Sequence, residues 1–398
     1  MSETFLHGVE VVEIDDGLRP IRTIRSSVIG LIGTAPDADA SAFPLDTPVL
    51  IAGSRREAAR LGATGTLPAA VDGIFDQAGA VMVVIRVAPG ANDAETMAAI
   101  IGGVDADTGQ YRGVHAFLAA QSVAKVTPRI LCAPGFTHQR PVDPDDNTRR
   151  LANPVVAELL GIAERLRAVI IADGPNTTDA DAIAYREDWG SPRIYVVDPH
   201  VKVMKNGAVV TEPASARVAG LIAKIDNDQG FWWSPSNHVI NGVIGLHRPI
   251  DFALGDPNCR ANLLNENEVA TIIQEDGYRL WGNRTTSSDP KWAFLSVRRT
   301  ADMINESILQ AHLWAVDRNI TKTYVDDVLE GVNAYLRHLK SVGAILGGRC
   351  WADEELNTPD QIAQGKVYFD FEFTAPYPAE RVTFRSHLVH DYIEEVFK

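Results

Sequence analysis

Cys132, Asp173 and Asp198 are the residues of this sequence best placed for chemistry, because each lies at or near the end of a short apolar run that reads as a buried strand. An open α/β sheet binds its ligands at the carboxyl ends of its strands. A thiol there becomes a nucleophile beside a basic partner, and the sequence near Cys132 identifies none, so a small buried thiol is expected. Asp173 with His200 supplies two members of a Ser/His/Asp arrangement, but no serine occupies a recognisable nucleophile turn. Aspartates that form turns after strands are the plainer expectation. An α/β hydrolase-like enzyme with a site at strand ends near Asp173 is the alternative these residues leave open. The motifs G-x-x-x-x-G-K-[ST], H-E-x-x-H, G-x-S-x-G and a strand-anchored G-x-G-x-x-G are absent. The ten histidines include no i, i+4 pair resembling a helical metal site. No catalytic residue, cofactor or metal is therefore expected.

Two further clusters suggest binding. Phe231-Trp-Trp-Ser-Pro-Ser-Asn-His238 is aromatic enough to stack sugars or bases, yet the acidic balance and the adjoining Gly242 and Gly245 favour core packing. Arg318 and Lys322 offer a small basic patch to an acidic partner, set against the simpler reading of a solvated helix end.

The elements that must hold these residues follow from periodicity. Val28–Ile32, Val49–Ile51 and Val81–Val87 read as strands. Ser54-Arg-Arg-Glu57 is a capping box, with Gly62 placed to end its short helix. Pro68 suits the first turn of a helix whose Val71, Ile74, Phe75 and Ala78 share one face. Arg129–Ala133, Ala168–Ala172 and Arg193–Val197 are buried strands, and helices over Pro154–Leu166 and Ser215–Ile225 separate or follow them. This is the βαβ pattern of a mostly parallel sheet with helices on both faces. The C-terminal third carries a helix with Ile304, Ile308, Ala311 and Ala315 on one stripe. A second begins near Thr323, with Asp326 completing a capping box, and presents Val325, Val328, Leu329, Val332, Leu336 and Leu339. Val367, Phe369, Phe371 and Phe373 alternate as one face of a strand. Strand-like Val9–Ile14 near one end and Arg381–Arg385 near the other are too short to be stable alone.

At 398 residues the chain is expected to form two or three domains. A net charge of −15 argues against nucleic-acid binding. Three widely spaced cysteines without C-x-x-C spacing fit a reducing compartment. The opening residues lack a basic n-region and apolar h-region, and no apolar run reaches membrane-spanning length. The expectation is a protein made and kept in a cytoplasm, with no membrane insertion.

The most distinctive run is Gly277-Tyr-Arg-Leu-Trp-Gly-Asn-Arg-Thr285, followed by Trp292-Ala-Phe-Leu-Ser-Val-Arg-Arg299 and a helix. It reads as a strand–turn–strand–helix unit built from glycine turns, aromatic bulk and guanidinium forks, with no nucleophile in it. It resembles the C-terminal signature of contractile tail sheath proteins of myovirus-type phages and R-type pyocins. Phe5–Val9, Ser26–Gly33, Gly230–Asn237 with Ile240–Gly242, and Pro378–Phe384 resemble further stretches of that family in the same order.

The resemblance implies a mixed α/β core domain from residues 21–95 with 276–378, a subtilisin-like doubly wound α/β domain inserted over 96–275, and linking arms at 1–20 and 379–398. It implies that Val9, Val11, Val12 and Ile14, with Val382 and Phe384, add strands to neighbouring subunits. It also implies a six-start helical homo-oligomer of hexameric rings around a tail tube protein, with baseplate and tail terminator proteins as further partners. Contraction of that cylinder would drive the tube through the target envelope for genome ejection, without nucleotide. Assembly would take place in the bacterial host cytoplasm and place the protein in a virion tail or phage-tail-like particle. Arg318 and Lys322 become candidates to face the tube.

Overall fold

Short runs of β-branched residues assemble into one eight-stranded sheet in the computed structural model, which describes residues 20–397. Val9, Val11, Val12 and Ile14 lie outside the described residues. The first strands are β1 (Ile29–Thr34), β2 (Val49–Ala52) and β3 (Val81–Val87), followed by a small ribbon of β4 (Gly103–Val104) and β5 (Tyr111–Arg112). β6 (Ile130–Cys132), β7 (Val169–Asp173) and β8 (Ile194–Val197) come next. β9 (Val201–Lys205), β10 (Ala208–Glu212) and β11 (Val243–Leu246) make a separate antiparallel sheet. β12 (Val269–Gln274) and β13 (Tyr278–Trp281) return to the large sheet, whose order is β13-β12-β8-β7-β6-β1-β3-β2. Its inner strands run parallel, and the two edge strands are antiparallel to their neighbours.

Side chains alternate between two cores, as the pleat requires. Ile29, Leu31, Met82, Val84, Ile130, Val169, Ile171 and Tyr195 face helices α2 (Thr66–Phe75) and α7 (Ser215–Asp228). Val83, Ile85, Leu131, Ile170, Ile194 and Val196 face α3 (Asp93–Ile101), α5 (Pro154–Leu166), α6 (Asp179–Glu187) and α8 (Arg260–Glu266). Two shorter helices, α1 (Arg55–Ala58) and α4 (Ala120–Ala124), fill connections. The Ser54 hydroxyl accepts from the Glu57 amide, as its capping pattern predicts.

The large sheet draws strands from both sides of residues 95 and 275. β1, β2 and β3 are hydrogen-bonded into it through β6, and β12 and β13 pair across residue 275. Residue spacing marks a strand but not its neighbour, and β1 finds its partner a hundred positions away. The β9–β10 hairpin was signalled by Asn206-Gly207, which the sequence reading passed over. Both residues have positive φ (50° and 80°), as a tight two-residue turn demands.

A smaller unit follows, of α9 (Leu295–Ala311), α10 (Lys322–Ser341), β14 (Gly347–Ala352), α11 (Pro359–Ala363) and β15 (Phe369–Thr374). Its core joins Met303, Ile304, Val332, Tyr335, Leu336 and Leu339 to Phe231, with Trp232, Phe369, Phe371 and Phe373 packed against it. Three expectations change here. The second strand expected over Trp292–Arg299 is instead a turn running into α9, whose first ten side chains from Leu295 to Ile304 are buried all round except Arg298, not on alternate positions as in a strand with one exposed face. α9 ends at Ala311, and Ala315 lies in the following tight turn; the His312 ring bonds the Ile308 carbonyl at 2.7 Å, taking an acceptor the next turn would need. α10 is capped by Thr321, whose hydroxyl accepts from the Tyr324 amide, rather than by Thr323 with Asp326.

Candidate functional site

Asp173 closes β7, and its buried carboxylate meets the start of α7. It accepts from the Ser215 amide at 2.8 Å and from the Ser215 hydroxyl at 2.5 Å, and Thr137 lies on the other side at 3.3 Å. An anion is favoured at a helix N-terminus, so this is a cap across the fold. Burial pushes the Asp173 carboxyl above the usual carboxylate range, and the Ser215 and Thr137 hydrogen bonds oppose that. A hydrolytic serine must hand its proton to a histidine. The Ser215 proton goes to Asp173, and both residues are wholly buried. Cys132 is equally buried, and burial pushes its thiol far up, away from the nucleophilic thiolate. Asp198 accepts from Arg248 and from the Asn176 amide, and Arg248 also holds Asp179. Among the described residues no group of three His, Cys, Asp or Glu side chains is arranged to hold a metal ion.

His200 stands edge-on to His138, with ring centroids 5.3 Å apart. Burial lowers its pKa to about 4, and burial with the neighbouring His200 charge also lowers that of His138. In the unfolded chain a histidine titrates near ~6.5. Between about pH 6.5 and about 4 the unfolded state therefore binds a proton that the folded state refuses. His200 stabilises the fold fully only above that window, and the contribution falls by roughly 2–3 kcal/mol by about pH 4.5. His200→Gln is expected to flatten the acid limb of a pH series of urea unfolding midpoints. Asp173 titrates in both proteins, so an unchanged difference between them across the series would refute the assignment.

The charged residues that matter most lie elsewhere. α9 turns a polar face to the large sheet's lower end, where its charges are paired and buried. Asp302 accepts from Arg193 at 2.7 Å and from Arg298 at 2.7 Å. Arg299 forks onto Asp226 at 2.7 and 2.5 Å. Glu306 meets Arg129 at 3.0 Å and Arg167 at 3.1 Å, and Arg193 also reaches Glu164 at 2.8 Å. Leu295 joins the large sheet's apolar core, and ion pairs line the rest of this joint. No sequence pattern identifies this joint beyond the density of arginine around 298–299.

Both ends of the described chain meet on the smaller unit. Ile21 and Ile24 pack into its core, Thr23 bonds the Tyr335 hydroxyl at 3.0 Å, and the Ile24 amide donates to Ser307 at 3.1 Å. At the other end Ala375 is the last buried residue among those described, and every side chain from Arg381 to Ile393 is exposed. Val382 is 67% exposed, Phe384 92% and Leu388 91%. Arg381–Arg385 pairs with no strand among the described residues, and residues 391–397 form tight helical turns. Arg318 lies over the Trp314 ring at 5.6 Å and lines an open groove of about 620 Å³ with Val316, Ile320, Tyr324 and Val367. Lys322 is the exposed first residue of α10.

The glycines of the Gly277–Thr285 run are required by geometry at two points. Gly277 has φ 105°, and Gly282 has φ 123° with only 3.0 Å between a would-be Cβ and the Ala270 backbone. Each arginine of the signature holds a fixed partner: Arg279 the Asn237 carbonyl, Arg284 the Glu380 carboxylate, Arg298 Asp302, and Arg299 Asp226.

Comparison with known proteins places these features. Residues 109–286 match the phage tail sheath protein central domain, residues 287–388 the phage tail sheath C-terminal domain, and residues 26–87 the tail sheath protein Gp18 domain III N-terminal region. A putative prophage major tail sheath protein of Pseudomonas aeruginosa (strain UCBPP-PA14) is 45% identical, covering 99% of each chain. The tail sheath protein of Escherichia phage P2 is 38% identical over 97% of this chain and 96% of its own. The fold is similar to that of the anti-feeding prophage helical sheath in its contracted state, with a TM-score of 0.69 at 22% identity over 98% of this chain and 100% of the other. It is likewise similar to the PVC sheath complex of an extracellular contractile injection system in its contracted state, with a TM-score of 0.68 at 18% identity over 99% of this chain and 100% of the other.

Proposed function

The chain belongs to the phage tail sheath family, and from that premise we propose how this structural, non-enzymatic subunit of a contractile tail sheath assembles and works. Copies polymerise as a six-start helical cylinder of hexameric rings around a tail tube, bounded by baseplate and terminator proteins. A trigger at the baseplate lets rigid subunits repack into a shorter, wider cylinder, and the free energy released drives the tube through the target envelope. The subunit is part of the tail of a phage or phage-like particle, assembled in the host cytoplasm.

The observation that carries this reading is the segment beyond Ala375: an exposed, strand-forming stretch on a well-packed body. Apolar side chains such as Phe384 and Leu388 gain most when a second copy covers them, and a lone strand gains hydrogen bonds only from a neighbouring sheet. We propose that residues 379–398 form such an arm, with Val382 and Phe384 turned into the neighbour, and that residues 1–20 form its counterpart through Val9, Val11, Val12 and Ile14. Residues 96–275 are proposed as a subtilisin-like insert. The proposed grouping of 21–95 with 276–378 finds support in Ile21 and Ile24, which pack on the smaller unit. Arg318 and Lys322 are proposed to face the tube, and their exposure leaves both free to do so.

Negative-stain electron microscopy of the purified full-length protein tests the reading. Hollow tubes with a striated surface are expected as concentration rises. Uniform small particles at every concentration, and again after co-expression with the neighbouring tube protein, would overturn it.

A further inference from the structure

The chain leaves the smaller unit through a built exit. β15 ends at Thr374, Ala375 is buried, and Pro376 and Pro378 have no N–H with which to extend a ladder. Tyr377 sets its ring edge-on to Phe294, 6.2 Å between centroids. The Glu380 amide then donates to the Pro378 carbonyl at 3.0 Å, making a three-residue turn about Ala379. That turn presents the Glu380 carboxylate to Arg284, whose Nε and Nη2 donate to its two oxygens at 2.7 and 2.6 Å. The same guanidinium lies 5.3 Å over the Phe294 ring, and a backbone bridge joins Arg284 to Phe294 just ahead of α9.

We propose that the Arg284–Glu380 clasp is the root of the C-terminal arm, fixing the point and the direction in which the chain leaves the body, so that its swing begins at Arg381. The inference rests on the reading of residues 379–398 as an arm. A half-exposed ion pair adds little to stability. Its value here is orientation, because two parallel hydrogen bonds hold the carboxylate in one plane. Beyond it the apolar side chains Val382, Phe384 and Leu388 are largely exposed. An arm aimed in one direction presents Val382 and Phe384 to a neighbour at a far higher effective concentration than one sweeping freely from Ala375. Arg284 and Glu380 are thus positioning residues for assembly.

Spin labels at Val382→Cys and Leu254→Cys read the geometry directly. Cys132, Cys259 and Cys350 are all buried, whereas both new positions are exposed. Labelled protein is diluted into unlabelled protein so that distances within one chain dominate. The expected result is one narrow distance in the parent, loss of that single distance in Glu380→Arg and in Arg284→Glu, and its return when the two reversals are combined. Circular dichroism should be the same in all four proteins. Single reversals as narrow as the parent, or a combined variant as broad as the singles, would overturn the clasp. Tube formation by the parent is scored separately, so a failed clasp and a failed sheath reading give different results.

Discussion

Asp302→Ala is expected to destabilise the folded subunit by about 3 kcal/mol, more than any single surface charge can. Asp302 has a side chain only 1% exposed and receives hydrogen bonds from both Arg193 and Arg298. Removing it leaves two guanidinium groups short of an acceptor at the joint between α9 and the large sheet. Arg193 keeps Glu164 at 2.8 Å and the Ala168 carbonyl at 3.1 Å, and Arg298 keeps its place 4.2 Å over the Trp292 ring, which holds the cost to the lower end of the range for broken buried pairs. Asp302→Asn keeps an acceptor and should lose less. The exposed pair Arg337–Glu330, with side chains 64% and 56% exposed, is the control: Glu330→Ala is expected to move stability by no more than about 0.5 kcal/mol. Urea unfolding followed by tryptophan fluorescence measures all three. An Asp302→Ala midpoint that matches the Glu330→Ala midpoint would show that the joint is held by something else.

Removal of residues 379–398 is expected to abolish polymers while leaving a folded subunit. Among the described residues the segment contributes no side chain to the four buried clusters and makes one ion pair to the body, Arg284–Glu380. Stability should therefore change little. Assembly should change greatly. Val382, Phe384 and Leu388 are largely exposed apolar side chains of the stretch, and each is worth about 1.5–3 kcal/mol once covered by a neighbour. Losing all three corresponds to a weakening of subunit association by about three orders of magnitude or more. Phe384→Asp alone places a charge where a neighbour's apolar groove would close, and should lower polymer yield in the same direction. Sedimentation and electron microscopy of full-length, truncated and Phe384→Asp proteins provide the comparison. Truncated protein that forms normal tubes would sink the woven-arm mechanism while leaving family membership untouched.

Several elements could be read residue by residue. α5 spans Pro154–Leu166 as its proline start and apolar stripe imply, and β3 spans Val81–Val87 as an apolar run interrupted only by Arg86 implies. Ser54 caps α1 because its hydroxyl and Glu57 sit at the spacing that one helical turn requires. The cap expected at Thr323 with Asp326 lies two residues earlier, where the Thr321 hydroxyl accepts from the Tyr324 amide. The strand expected after Trp292 did not form. Its apolar residues, Trp292 to Leu295 and then Val297, form so short a run that they fit either period, and in the fold Leu295 opens α9.

The candidate site divides along the same line. The sequence lacks a recognisable nucleophile turn and a phosphate loop, and the glycine, tryptophan and arginine run at 277–299 carries the resemblance to contractile tail sheath proteins. Periodicity, caps and motifs are local, encoded within a few turns of chain, and they specified the elements and the family. Pairing across distance is not local. Arg193 meets Asp302 109 positions away, Arg129 and Arg167 converge on Glu306, and Arg284 finds Glu380 96 positions on. A charge read along the chain is indistinguishable from a solvated one. Only folding shows which are stripped of water and therefore need partners, and at which residue the body ends and the exposed C-terminal segment begins.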